Sequence, residues 1–112
     1  MKDKAYICIP ISDNADDMKR ALAFCKFVYF RCGLLPITSH FYAKIINEEL
    51  IWESNNDVSH GMNLLVNSEE VWVFGDSRTE IMEKEIASAK SLGRDIHYID
   101  DYQCEEIFKV YG

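Results

Sequence analysis

Two short apolar runs constrain the fold of this chain more than any other feature of its sequence. Residues 5–11 read AYICIPI and residues 70–75 read EVWVFG, and both runs are rich in residues that favour β-strands. A strand that is apolar at consecutive positions is buried on both faces, which is typical of a parallel sheet between layers of helices. The two runs therefore predict an α/β fold with a parallel sheet at its centre.

A long amphipathic pattern follows the first of these strands. Asp13 or Asn14 can cap a helix at its start. Apolar residues then keep helical spacing from Met18 to Cys32, and Gly33 stands where a C′ glycine ends a helix. A strand, a long helix and a glycine stop are therefore predicted in this order.

The remaining segments continue the alternation of strands and helices. Strands are predicted at 34–39, 70–75 and 95–99, and helices at 57–67, from a capping box of Ser77 and Glu80 to Gly93, and at 102–110. Right-handed crossovers between such elements give a Rossmann-like (flavodoxin-like), doubly wound and mainly parallel sheet of four to five strands with flanking helices. At 112 residues the chain is expected to form a single domain.

Composition narrows the classes of partner. With 12 basic and 19 acidic residues the formal net charge is −7, and an acidic surface repels phosphate backbones, so no nucleic-acid polymer is expected as a partner.

The four cysteines form no CxxC pair, which favours buried free thiols over a disulfide framework. No signal-peptide pattern precedes the first strand, and the apolar runs are too short to cross a bilayer. A soluble, cytoplasmic protein without a membrane partner is expected.

The expected location of a ligand follows from the predicted topology. Ligands of doubly wound sheets bind beyond the carboxyl ends of the strands, where the strand order reverses. Segments 10–13, 39–41 and 75–79 form these ends here and are expected to converge on one crevice. No GxGxxG follows the first strand and no GxxxxGK[ST] occurs, so neither a dinucleotide cofactor nor a P-loop is expected. The three histidines are scattered, and no metal site is predicted.

Glu85 is the main candidate for chemistry, but its spacing is ambiguous. It comes three residues after the core-facing Met82, at the border of the predicted buried face. A partly desolvated carboxylate at this position would suit a nucleophile or a general base. The same helix has an ordinary charged face, so spacing alone favours a solvated glutamate.

Other residues near the predicted crevice also allow two interpretations. Asp76 could contact a ligand hydroxyl or simply turn the chain, and the turn is the commoner role. His40 could contact a ligand or be a loop histidine with local partners. Trp52 is more typical of a core or an interface than of a pocket wall.

The order of these motifs resembles that of the nucleoside 2-deoxyribosyltransferase-like family, and its short, uncharacterised bacterial and phage branch in particular. The resemblance extends from Ala5 to Ile99. It is carried by YICIPIS, a long helix ending in CG, LLPITSH, GMNLLVNSEEVWVFGD and MEKEIASAKSLGRDIHYI.

The resemblance implies a glutamate nucleophile and a nucleoside site. Glu85, Ala89 and Gly93 match the family's E-x-x-x-A motif and the glycine that follows it. Glu85 would then attack the anomeric carbon of a deoxyribosyl group and form a covalent intermediate. The expected substrate-binding residues, from the resemblance and the crevice edges, are Pro10, Ile11, Ser12, His40, Gly75, Asp76, Ser77 and Met82.

Three departures from the family pattern keep a second hypothesis open. Ile9 and Ile81 stand where relatives often carry smaller residues, and neither Asp57 nor Asn63 securely matches the aspartate that assists departure of the base. One hypothesis is therefore an N-glycosidic transferase or hydrolase that acts on a small nucleoside or nucleotide. The alternative is a non-catalytic protein that binds or sequesters a nucleotide-derived signal, as a phage-encoded protein could do.

A third hypothesis is an interaction domain. Phe27, Tyr29, Phe30 and Trp52 would then lie at a subunit interface, with segment 41–56 as the contact region. The resemblance likewise implies a homodimer or a larger homo-oligomer, in which a neighbouring loop helps to close the pocket.

Overall fold

Four parallel strands form the centre of the fold in the computed structural model, which describes residues 3–10, 15–38 and 64–112. The elements in chain order are strand β1 (Lys4–Cys8), helix α1 (Ala15–Lys26) with a π-helical extension (Phe27–Arg31), strand β2 (Leu35–Ile37), strand β3 (Glu70–Phe74), helix α2 (Glu80–Ser91), strand β4 (Asp95–Ile99) and helix α3 (Asp101–Tyr111). Residues 64–66 are also helical and lead into β3.

The strand order is β2-β1-β3-β4, and every pair in it is parallel. In the central pair Cys8 lies opposite Val73, and in the next pair Phe74 lies opposite Ile99. The order reverses between β1 and β3, as it does in flavodoxin-like sheets, so this is the topological switch point. The predicted α/β, Rossmann-like fold is confirmed.

Each face of the sheet has its own apolar core. Ala5, Ile7 and Ile9 join the core beneath α1 and α3, which we call the α1–α3 side. Tyr6 and Cys8 join the core beneath α2, the α2 side. Successive strand residues point to opposite faces, so a strand between two helical layers must be apolar at nearly every position. This arrangement explains the continuous run that begins at Ala5.

The helix ends confirm some sequence signals and correct one. Gly33, at φ +73°, follows the π-helical extension of α1, and Gly93, at φ +71°, follows α2, as predicted. The capping box of Ser77 and Glu80 is wrong. Thr79 is the N-cap of α2: its backbone is extended, and its hydroxyl accepts a hydrogen bond from the Met82 backbone N–H at 3.1 Å.

Helix α3 begins at Asp101, one residue earlier than predicted, because Asp100 and Gln103 form a reciprocal capping box. All four cysteines are free thiols. Within the described ranges, none of the helices combines the length and the apolar character needed to span a membrane.

Several predictions concern residues outside the described ranges. They are the Asp13 or Asn14 cap, the start of the 57–67 helix, the 41–56 contact region, and the individual roles of Ile11, Ser12, His40, Trp52, Asp57 and Asn63.

Candidate active site around Glu85

Glu85 lies in the core on the α2 side, with only 2% of its surface exposed. It shares the buried face of α2 with Met82, Ile86 and Ala89. Residues three and four apart lie on the same side of a helix, so its spacing from Met82 and Ala89 places it directly over the sheet. The interpretation of Glu85 as a solvated helix glutamate is therefore wrong.

Two side chains of β1 hold the Glu85 carboxyl group. The Tyr6 hydroxyl donates a hydrogen bond to Oε2, and the Cys8 thiol donates one to Oε1 across 3.4 Å. Tyr6 and Cys8 are two residues apart in an extended strand, so they project from the same face of the sheet. The carboxyl group of α2 thus lies across two adjacent donors of the central strand.

Burial controls the electrostatics of this group. It raises the pKa of Glu85 above its ordinary value of 4.5, while the hydrogen bonds from Tyr6 and Cys8 act in the opposite direction. The pKa of the Cys8 thiol is raised as well, first by burial and then by the neighbouring Glu85 carboxylate. Cys8 therefore stays protonated and acts as a hydrogen-bond donor.

A buried carboxyl group of this kind has two chemical uses. Because its ionised form is poorly solvated, it can serve as a nucleophile or as a general base. Carboxyl groups with perturbed pKa values cluster at functional sites, and buried carboxyl groups also serve structural roles. Tyr6 and Cys8 are both neutral donors, so their contacts with Glu85 are compatible with a nucleophile and with a general base.

The switch point opens into a cavity on the α1–α3 side of the sheet. Its volume is about 170 Å³, and Pro10, Arg20, Phe74 and Asp101 are among the residues that line it. The Arg20 guanidinium forms an ion pair with Glu105 at 2.7 Å. Glu85 belongs to the opposite face, so the described residues place the cavity and the buried carboxyl group on different sides of β1.

Gly75 and Asp76 form the turn that follows β3. Gly75 has φ +95°, which favours glycine, and an added Cβ would lie 3.3 Å from Asp101 Oδ1. The Asp76 N–H donates to that same Oδ1 at 2.9 Å, and the Asp101 N–H donates to Asp76 Oδ2 at 3.4 Å. These contacts give Asp76 a structural role: they tie the turn to the start of α3.

The structure brings only part of the predicted site together. Met82 lies beside Glu85 but is fully buried as a core side chain. Pro10 lines the cavity, Gly75 and Asp76 form the adjoining turn, and Ser77 is exposed in that turn.

Sequence reasoning missed Tyr6 and Cys8 as partners of Glu85. A usable signal existed, because polar hydrogens occur at alternate positions of an otherwise apolar strand. The pairing itself joins residues 79 and 77 positions apart in the chain, so only the tertiary fold reveals it.

A second carboxylate, Glu70, is the first residue of β3 and lies at the amino ends of the strands, away from the cavity. Its Oε1 accepts hydrogen bonds from His97 Nε2 at 2.8 Å and from the Trp72 indole N–H at 3.3 Å. The rings of Trp72 and His97 stack with their centroids 4.2 Å apart. We call these three residues the Glu70 cluster. Its side chains are partly open to solvent, with 20% exposure for Glu70 and 43% for His97.

Among the described residues, no group of three or more His, Cys, Asp or Glu side chains could hold a metal ion.

Comparison with known proteins gives one family match. A model described as a domain of unknown function, DUF7768, matches residues 3–99 of the chain. No curated protein and no solved structure gives a significant match.

Proposed function

The chain belongs to the DUF7768 family, and we propose that it binds a nucleoside or nucleotide and attacks the N-glycosidic bond with Glu85. The observation that carries this proposal is the buried Glu85 carboxyl group, held against the central strand by Tyr6 and Cys8. The proposal is also supported by the order of sequence motifs, which resembles that of the nucleoside 2-deoxyribosyltransferase-like family and implies that Glu85 matches the family's nucleophilic glutamate.

The proposed reaction has two displacement steps. In the first, a carboxylate oxygen of Glu85 forms a bond to C1′ of the sugar while the bond from C1′ to the base nitrogen breaks. The bonding electrons leave with the base, which takes a proton from water. In the second step, water or another base displaces Glu85 from C1′ and restores the carboxylate.

Charge supports a ligand with few phosphates. The chain has a formal net charge of −7. A polyphosphate would be repelled by this charge more strongly than a monophosphate or a neutral nucleoside. We therefore propose a nucleoside or a nucleoside monophosphate as the substrate.

Base release from a panel of deoxynucleosides and their monophosphates tests the proposal, with free base measured by chromatography. Glu85→Gln keeps the size of the side chain but removes the nucleophile, and should lower the rate by at least about 10³-fold. Glu83→Gln is the matched control, because Glu83 is exposed on the same helix, and it should retain the activity. The absence of turnover across the whole panel would contradict the enzymatic proposal.

The alternative is a non-catalytic nucleotide binder, and one observation favours it. Both oxygens of Glu85 already accept hydrogen bonds inside the protein, as the oxygens of a purely structural carboxyl group would. A binder should release the intact ligand on denaturation, and Glu85→Gln should still bind it. If no nucleoside or nucleotide shifts the melting temperature, binding and catalysis are both contradicted.

Assembly into a homodimer or larger homo-oligomer is part of the proposal. Phe30 is 71% exposed on the π-helical extension of α1, next to the partly exposed Tyr29. Phe27 instead packs inward, with ring contacts to Trp72 and Tyr111. A monomeric mass in light scattering would contradict this part of the proposal.

A further inference from the structure

We propose that Cys8 is a positioning residue for Glu85 and that its thiol leaves Oε1 as the carboxylate oxygen that reacts. This inference rests on the proposed function where it concerns the reaction. Its structural half, that Cys8 supports the ionised form of Glu85, can be tested without any substrate.

Among the β1 side chains that join the two cores, the hydrogen-bond donors lie on one face of the strand. The side chains of β1 and of the next residue that join the core beneath α1 and α3 are Ala5, Ile7 and Ile9, which have no hydrogen-bonding groups. The β1 side chains in the core beneath α2 are Tyr6 and Cys8, and both donate to Glu85. Cys8 is thus one of two donors on the face where the carboxyl group needs them.

The surroundings of Cys8 make its thiol valuable to Glu85. Cys8 is fully buried, and its register partner in β3 is the apolar Val73. A carboxylate buried among apolar side chains depends on every donor within reach, because water cannot replace a missing hydrogen bond. The 3.4 Å contact between Sγ and Oε1 is the interaction found for that oxygen in the described part of the chain.

The two donors differ in strength, which makes the two oxygens unequal. A phenol O–H is a much stronger donor than a thiol S–H. Oε2, which accepts from Tyr6, is therefore the more strongly bound oxygen, and Oε1 keeps more of its electron density. In the proposed first step Oε1 forms the bond to C1′, the C1′–N bond breaks, and the base takes a proton from water.

Carbon-13 NMR on protein labelled at the glutamate carboxyl carbons gives the first test. The Glu85 signal is assigned by its loss in Glu85→Gln, and its titration midpoint is compared among Cys8 variants. Cys8→Ala removes a donor to the ionised form, so the midpoint should rise by roughly half to one unit. Cys8→Ser restores a donor and should return the midpoint to the wild-type value or below it.

A purely structural Cys8 would give a different titration. In that case Cys8→Ala would lower stability but leave the Glu85 midpoint unchanged, which would overturn the positioning role. If Cys8→Ala does not fold, Cys8→Val fills the space without offering a donor, and the same upward shift is expected.

The reacting oxygen is tested by the pH profile of base release. With Cys8→Ala, the acid limb of kcat should move to higher pH together with the NMR midpoint, while KM stays unchanged. With Cys8→Ser, a stronger donor on Oε1 should move that limb to lower pH and reduce the plateau rate several-fold. An unchanged plateau in Cys8→Ser would overturn the assignment of Oε1.

The activity assay and the NMR titration distinguish failure of the proposed function from failure of the positioning role of Cys8. A protein without turnover contradicts the proposed function and the reactive role of Oε1, but its NMR titration still shows whether Cys8 supports the carboxylate. A protein whose turnover needs Glu85 but whose midpoint ignores Cys8 keeps the proposed function and loses this inference.

Discussion

Glu85 and Glu70 are two carboxylates on the same small sheet, and their surroundings differ in almost every respect. Glu85 is enclosed between α2 and β1 and is held by a phenol and a thiol. Glu70 lies at the start of β3, partly exposed, and is held by the imidazole of His97 and the indole of Trp72. Glu85 has neutral partners and almost no exposure to solvent, whereas Glu70 has an imidazole partner and partial access to solvent.

The surroundings of Glu85 disfavour its ionised form, whereas Glu70 keeps partial contact with solvent. Burial penalises the ionised form of Glu85, and neutral donors offset only part of that penalty, which is why its pKa is raised. A partly exposed pair such as that of Glu70 and His97 contributes little stability and forms readily at a protein surface. Burying the Glu85 carboxylate costs folding free energy, and the proposed reaction offers an explanation for why the fold retains it.

The largest expected effect comes from the apolar wall that keeps water from Glu85. Met82 is fully buried on the same face of α2, and Met82→Ala should lower the free energy of unfolding by about 2–5 kcal/mol. The cavity should also admit water and lower the Glu85 pKa toward its ordinary value. Urea unfolding and the carboxyl titration measure the two effects.

Met82→Leu is the matched control, since it conserves volume and should cost less than about 1.5 kcal/mol. If Met82→Ala unfolded as late as the wild type, Met82 would not be a core residue. Its predicted contact with substrate would then become the better explanation of its position.

The location of Glu85 shows where sequence reasoning succeeds and where it stops. The strand at 70–75 and the stops at Gly33 and Gly93 were predictable, because burial on both faces and positive φ leave local signatures in sequence. The burial of Glu85 was not, because a charged residue one position from Ile86 fits the edge of the apolar face as well as its centre. The helix phase was settled by packing against the sheet.

The start of α2 illustrates a local ambiguity of another kind. Ser77 with Glu80 satisfies the capping-box pattern, yet Thr79 is the N-cap. Both residues can cap a helix, and the turn that precedes them is tied to the start of α3 through Asp76 and Asp101. That anchor is a contact with a residue 25 positions away, which no local pattern contains.

An intermediate effect is expected from pH. The pKa of Glu85 in the folded protein lies above 4.5, so folding favours the protonated form. Its stabilising contribution is complete below about pH 4.5 and is lost as the pH rises through the folded pKa. Relative to Glu85→Gln, which does not titrate, the wild type should lose up to about 1.4 kcal/mol per pH unit within that window.

Denaturant unfolding of both proteins from acid to neutral pH measures this difference. Val28→Ala, in the core on the α1–α3 side, is the control, and its cost relative to the wild type should not depend on pH. A constant difference between the wild type and Glu85→Gln would show that burial does not perturb the carboxyl group, and the contrast with Glu70 would be lost.

The smallest effect is expected at the Glu70 cluster. Glu70→Gln should cost about 0.2–1 kcal/mol, because the contact with His97 is partly exposed. A double-mutant cycle with His97→Gln isolates the coupling between the two side chains. The stack of Trp72 on His97 complicates the single substitution, and the cycle removes its contribution. A coupling between Glu70 and His97 well above about 1 kcal/mol would exceed that of a partly exposed pair, and the difference in burial could then no longer single out Glu85.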